Sequence, residues 1–344
     1  MFDARKLAAS VQRNCHISDA RFAGNYTLCI FLLKMREYFR WEQGIPLSQS
    51  LPRAALGEWL TAREEEWNRL EAASFTPLLI DGEEFEPFAA EAINQRINPL
   101  GYVYSAGYGI HQKPCFFLAR LERIERRNGT TLFIANEEIA RDLAAPPAML
   151  QGRNIFIRRE SLRRFIWEKI EELGQGTPAE TPMARALACH EGQDIEIILD
   201  RMTENEVETL ILHETGEDRV HDLLGDDWER LLLSLPRSRS EFLLRAVRDN
   251  LADCLSTLPA LMERNNVAAL HFYFANFTGM RKEIFPAALD AYHHWLASGS
   301  LVHLHSACEA GQRHWREVAE KILRAFRSST RQLAADIGRL CQPL

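Results

Sequence analysis

The sequence predicts an α+β protein that is predominantly α-helical: N-terminal helices with a small antiparallel sheet, then a C-terminal helical domain. Three observations lead there. Apolar residues recur at helical spacing from Tyr26 to Gly44 and again through most of the second half. Around residues 100 to 137 the texture changes to the aromatic and β-branched runs "GYVYSAGYG", "PCFFLARLERIERR" and "TTLFIANEEI". Asn128-Gly129 separates the last two, and Asn-Gly is the strongest short hairpin signal. Finally, "GQGTPAETP", residues 174–182, mixes glycine, proline and threonine and reads as an exposed linker. The expected domains are therefore 1–173 and 183–344.

Taken in order, "YTLCIFLLKMREYFRWEQG" is a helix that stops at Gly44. "PRAALGEWLTAREEEWNRLEAA" follows, with Pro52 at a natural helix start and Trp59 and Trp67 as core or half-buried anchors. "SAGYGIHQK" lacks the Gly-Lys-Ser/Thr ending of a phosphate loop and reads as a turn between strands. "NIFIRRESLRRFIWEKIEEL" passes from a short strand into a helix, and its basic cluster "RRESLRR", Arg158 to Arg164, reads as a solvated helix start. Beyond the linker, helices are expected at roughly 183–199, 203–224, 226–235, 240–257, 259–274, 285–297 and 300–340.

Composition bounds the function. With 41 basic and 48 acidic side chains the net charge is −7, which argues against nucleic acid, whose phosphates need a field of Lys and Arg. The 46% apolar and 26% charged content is that of an ordinary soluble globular chain. The longest apolar stretches, such as "LCIFLL", fall far short of the roughly 20 residues that span a bilayer. "MFDARKLAASVQRNCH" has no secretory h-region. Seven cysteines, scattered and without a C-x-x-C pair, read as reduced thiols. The expectation is a cytoplasmic protein with no membrane partner, open to a protein partner or to self-association.

From "NCHISDAR" through "YTLCIFLLKMREYFRWEQG" the chain resembles an uncharacterised bacterial protein family with no assigned activity. The resemblance covers the whole chain and implies no catalytic residues, so the candidate site rests on the residues themselves.

That site centres on "LILHETGEDRVHDLLG", Leu210 to Gly225, which carries His213, Glu214, Glu217 and His221. Thr203 and Glu206 form a Thr-x-x-Glu capping box, so a helix is expected to start there with Glu206 in a structural role. If that helix continues through Gly216, His213, Glu214, Glu217 and His221 point toward the core, where unpaired ionisable groups cost roughly several kcal/mol each and need partners. A chain reversal at Gly216 would leave Glu217 in solvent instead. "VHLHSACEAGQRHW" repeats the spacing with His305-x-x-x-Glu309, and "LDAYHHWL" sets His293 between Leu289 and Leu296, hence inward. His190-x-x-x-Asp194 is a third instance, interrupted by Gly192.

Imidazoles and carboxylates projecting from facing helices suit iron, manganese or zinc. The Glu-x-x-His pattern of ferritin-like bundles and the paired histidines of hemerythrin-like proteins are both absent. Nucleophile-elbow, zincin and Walker motifs are absent too. The expected function is metal binding in a helical bundle, with non-haem redox chemistry as its use. His213, Glu217, His305 and Glu309 would be ligands, completed by His293 or Glu214. The alternative is a non-catalytic interaction protein in which these His/Glu pairs are structural.

Overall fold

The computed structural model of the protein describes residues 2–109, 112–127, 129–174, 178, 180–190, 194–235, 238–328 and 333–344. It divides into two units, Met1–Trp167 and Glu168–Leu344. Of the expected linker, residues 175–177 and 179 lie outside the described residues.

In the first unit, helix α1 (Ala4–Phe22) starts at Asp3, whose side chain accepts hydrogen bonds from the Arg5 and Lys6 amides. Its Leu7, Val11 and Cys15, four apart, lie on one helical face and join a core with Ile93, Tyr104 and Phe116. Helices α2 (Leu28–Glu42) and α3 (Arg53–Leu70) follow, the second starting after Pro52 as its sequence implies. Trp67 is buried and Trp59 half-buried, as anchors should be. Leu28, Ile30, Leu32 and Leu33 of α2 are exposed. Strands β1 (Leu78–Ile80) and β2 (Glu83–Phe85) form a small antiparallel ribbon ahead of α4 (Ala90–Ile97).

Strands β3 (Tyr102–Tyr108), β4 (Pro114–Arg127), β5 (Thr130–Arg141), β6 (Ala148–Gln151) and β7 (Asn154–Arg158) make one sheet in the order β3-β4-β5-β7-β6. The first three pair antiparallel where the aromatic texture placed them. Asn128 lies outside the described residues, while Gly129 adopts φ +86°, the left-handed conformation that this tight connection requires. Two details differ from expectation. Ser105 to Tyr108, the start of "SAGYG", is strand rather than turn. In addition, β7 joins β5 in parallel, so the sheet is mixed. Its Ile155, Phe156 and Ile157 are consecutively buried, the pattern of a strand covered on both faces.

The basic cluster after β7 is not a solvated helix start. Helix α5 (Arg159–Leu173) does begin there, but Arg158 is 1% and Arg164 6% exposed. Arg158 Nη2 donates to Glu138 Oε2 at 2.6 Å and its Nε to Oε1 at 3.2 Å. The Ser161 amide also donates to Glu138, at 3.1 Å. The first arginine of the cluster, at the end of β7, thus neutralises a carboxylate of the sheet rather than facing solvent.

The second unit is helical among its described residues: α6 (Pro182–Ala188), α7 (Ile195–Leu224), α8 (Asp226–Ser234), α9 (Arg239–Ala252), a π-helical turn (Asp253–Thr257), α10 (Leu258–Glu263), α11 (Val267–Asn276), α12 (Gly279–Ile284), α13 (Pro286–Ser298), α14 (Val302–Arg327) and α15 (Leu333–Leu340). The fold as a whole is thus mostly helical α+β. No helix among the described residues is long and apolar enough to cross a membrane.

Four helical readings need correction. Helix α7 starts at Ile195 with Asp194 as its cap, not at Thr203. Thr203 lies inside it and its hydroxyl donates to the Leu199 carbonyl at 2.6 Å, so the Thr-x-x-Glu pattern is no capping box here. Because Asp194 is the cap, His190 and Asp194 do not share a helix. On α14 the buried stripe is Leu304, Cys308, Gly311, Trp315, Val318 and Ile322, spaced alternately four and three. His305 sits one position past it and is exposed, as is Glu309. On α13 the buried face is Ala288, Ala291, Tyr292 and Trp295, which turns His293 to solvent rather than inward.

Candidate metal centre

Helix α7 runs unbroken through Gly216, and the reason is a close approach of backbones. A Cβ on Gly216 would lie 2.5 Å from the carbonyl oxygen of Ala252, the last residue of α9. Only glycine lets α7 come that near. The contact brings the His213 side of α7 against the point where α9 passes into the π-helical turn. Such turns widen the helix and recur at functional sites.

At that junction a polar cluster forms. His213 Nδ1 donates to Asp253 Oδ1 at 2.8 Å, and Nε2 lies 3.4 Å from Glu217 Oε1. Asp253 is almost wholly buried and fully engaged. It also accepts from Thr257 Oγ1 at 2.9 Å, from the Tyr273 hydroxyl at 3.0 Å and from Arg281 Nη2. Arg281 in turn packs over the Tyr273 and Phe277 rings. On the outer side Arg248 Nη2 lies 2.8 Å from Glu217 Oε1 and 3.0 Å from Asp249 Oδ1. His213, Glu217 and Asp249 each present one ligand atom within 4.8 Å of the other two, the one such group of three among the described residues. The side chains of His213 and Asp249 remain 22% and 21% exposed, so the group opens to solvent.

The electrostatics follow from these neighbours. Burial disfavours a charged His213, but Asp253 on one nitrogen and Glu217 on the other outweigh it and hold the ring well above its ordinary pKa. Burial pushes Asp253 up while Arg281 and His213 pull it down, to about 2. Glu217 behaves alike: burial raises it, and Arg248 and His213 bring it down to about 2. Glu214, on the buried face of α7, feels the pull of His213 and Arg248 too, but they do not prevail. Burial and then the Glu217 charge push it up to about 8.

Of the residues singled out in the sequence, His213 and Glu217 come together, and Glu214 is their buried neighbour outside the group of three. His293, His305 and Glu309 are exposed on α13 and α14 and are not in the group. His221, expected to face the core, is instead exposed, with Nε2 3.5 Å from Asp226. Asp249, Asp253, Arg248, Arg281 and Tyr273 escaped the sequence reading. Asp249-x-x-x-Asp253 was visible as two carboxylates one turn apart, the same spacing as His213 and Glu217. Nothing local links those two pairs, which lie on separate helices.

Residues 6–158 match the N-terminal domain, and residues 163–343 the C-terminal domain, of a family described as of unknown function, DUF6866. No curated protein and no solved structure matches the chain. The His213 cluster falls within the C-terminal match. With both domains present in order over nearly its whole length, the chain belongs to the DUF6866 family.

Proposed function

We propose that the protein binds a divalent transition ion through His213 Nε2, Glu217 and Asp249. The observation that carries this reading is the hydrogen bond from His213 Nδ1 to Asp253. A metal-binding imidazole typically donates its far N–H to a carboxylate, which fixes the ring and raises its basicity. Asp253 is held by Thr257, Tyr273 and Arg281 and can do that job, leaving Nε2 toward Glu217, with Asp249 in the same group of three.

One imidazole and two carboxylates suit manganese, iron or zinc. Three protein ligands leave coordination positions for water or a small substrate, and with iron or manganese these would serve non-haem redox chemistry. Binding requires His213 to lose its Nε2 proton and Arg248 to yield the two carboxylates, so affinity should rise with pH.

A second reading, a non-catalytic interaction protein with structural His/Glu pairs, is favoured by the balance of charge. Glu217, Asp249 and Asp253 face His213, Arg248 and Arg281, and the cluster closes on itself. Elemental analysis of untagged protein, grown with added iron and manganese, separates the two. Stoichiometric metal in the native protein, lost in Glu217→Gln and Asp249→Asn, supports the centre. Native protein without metal, and with no uptake of Mn(II), Fe(II) or Zn(II) on titration, supports the structural network.

A further inference from the structure

We infer that the occupied site takes a small oxyanion, a carboxylate or phosphate, held jointly by the ion and by Arg248; this rests on the metal reading above. Arg248 is the cation that spans the ligand set. Its Nη2 reaches both Glu217 Oε1, at 2.8 Å, and Asp249 Oδ1, at 3.0 Å, and its Nε also lies 3.1 Å from Asp249 Oδ1. The side chain is 25% exposed, so the guanidinium stands at the mouth of the cluster rather than beneath it. On the inner side the carboxylate of Asp253 is occupied by His213, Thr257, Tyr273 and Arg281, and it offers Arg248 no replacement partner.

An ion on Glu217 and Asp249 therefore competes with Arg248 for the oxygens it now uses. It also brings two positive charges into the cluster. The result is a more positive site with open coordination positions and, beside them, a guanidinium with N–H donors to satisfy. A ligand with two or more anionic oxygens answers both needs: one oxygen on the ion, the others on the planar fork of Arg248. Arginine is suited to this because its donors match carboxylate and phosphate geometry in pairs. A neutral ligand would leave the fork unpaired, and a cation would be repelled. Arg248 thus has two partners in turn, the protein's own carboxylates without the ion and a ligand's oxyanion with it.

The test uses the full-length protein and two titrations read by water-proton relaxation. The first adds Mn(II) to metal-free protein. The second adds acetate or inorganic phosphate to the Mn(II)-loaded protein, with chloride as control; an oxyanion that displaces bound water lowers the relaxation enhancement. In wild type both oxyanions should lower it and chloride should not. Arg248→Met should bind Mn(II) at least as tightly as wild type, because the internal competitor is gone. Its affinity for phosphate should fall about 10- to 100-fold, the worth of a charge-assisted paired contact. Arg248→Lys keeps the charge without the fork and should fall between the two, which covers the case in which the methionine variant does not fold. Mn(II) binding with no oxyanion response in wild type, or an equal response in all three proteins, overturns this inference and leaves the metal centre standing. Absence of Mn(II) binding overturns both.

Discussion

Gly216 of α7 lies so close to Ala252 at the end of α9 that a Cβ on the glycine would sit 2.5 Å from the Ala252 carbonyl oxygen. The next residue after Ala252 is Asp253, the hydrogen-bond partner of His213. The backbone contact therefore sets the distance at which the two halves of the cluster meet. In an exposed helix interior, replacing Gly by Ala stabilises by about 1 kcal/mol. Here the added methyl meets backbone that cannot swing aside. Gly216→Ala is expected to destabilise by about 1–3 kcal/mol, as overpacking does. Urea denaturation gives the sign, and a stabilised variant would mean that the two helices part at no cost.

His213 makes stability depend on pH in a stated direction. Its pKa is raised on folding by Asp253 and Glu217, against the opposing effect of burial. The stabilisation is fully present below the unfolded value near 6.5 and is lost as pH rises through the folded value. His213→Gln should therefore lose more stability relative to wild type at pH 6 than at alkaline pH. Denaturation midpoints of both proteins across that range test it. A difference constant with pH would place a neutral ring in the native protein.

Glu206 is a buried acid in mid-helix, 2% exposed, which burial pushes up to about 8 despite the hydrogen bond that Asn205 Nδ2 donates to its Oε1 at 3.0 Å. A carboxyl whose folded pKa is raised takes up a proton on folding between its two values. It costs stability progressively from about pH 4.5 toward pH 8. Glu206→Gln removes that cost and should raise stability by about 1–3 kcal/mol at pH 7, with little effect below pH 4.5. If glutamine destabilises at both pH values, Glu206 is anchored by its contacts rather than burdened by its charge.

In the first unit, Arg158 and Glu138 form a buried pair with side chains 1% and 0% exposed. Removing one member strands the other. Arg158→Met is expected to cost about 3–5 kcal/mol, far more than a surface pair would. The comparison is Arg96→Met, whose partner Glu83 lies at 2.6 Å with both side chains more than half exposed. That change should be nearly silent in thermal denaturation.

Much of this could be read along the chain because helical and strand periods are local properties. The pair His213 and Glu217 lies one turn apart on one face of any continuous helix, and only the continuity through Gly216 was open. The aromatic and β-branched texture of β3, β4 and β5 likewise announced strands. Where the reading failed, the error was often a single residue of phase. On α14 the buried stripe passes through Leu304, and His305, one position and so about 100° further round, falls to solvent. The same small shift exposes His293. The Thr203 and Glu206 pattern fits a helix start locally, yet the apolar Ile198 and Leu199 ahead of it are buried and carry the helix further back.

Other features have no local signal. Asp253 meets His213 across 40 positions of sequence, brought there by a glycine on one helix and a widened turn on another. Arg158 reads as a surface base until Glu138 is found beside it in the sheet. The parallel pairing of β7 with β5 joins segments about 20 positions apart and is not marked in either strand's own sequence. Local spacing determines which side chains share a face, since that follows from backbone geometry alone. Which faces meet, and so which charges neutralise one another, is decided by packing between distant segments, where the gain comes from contacts that no single segment can make.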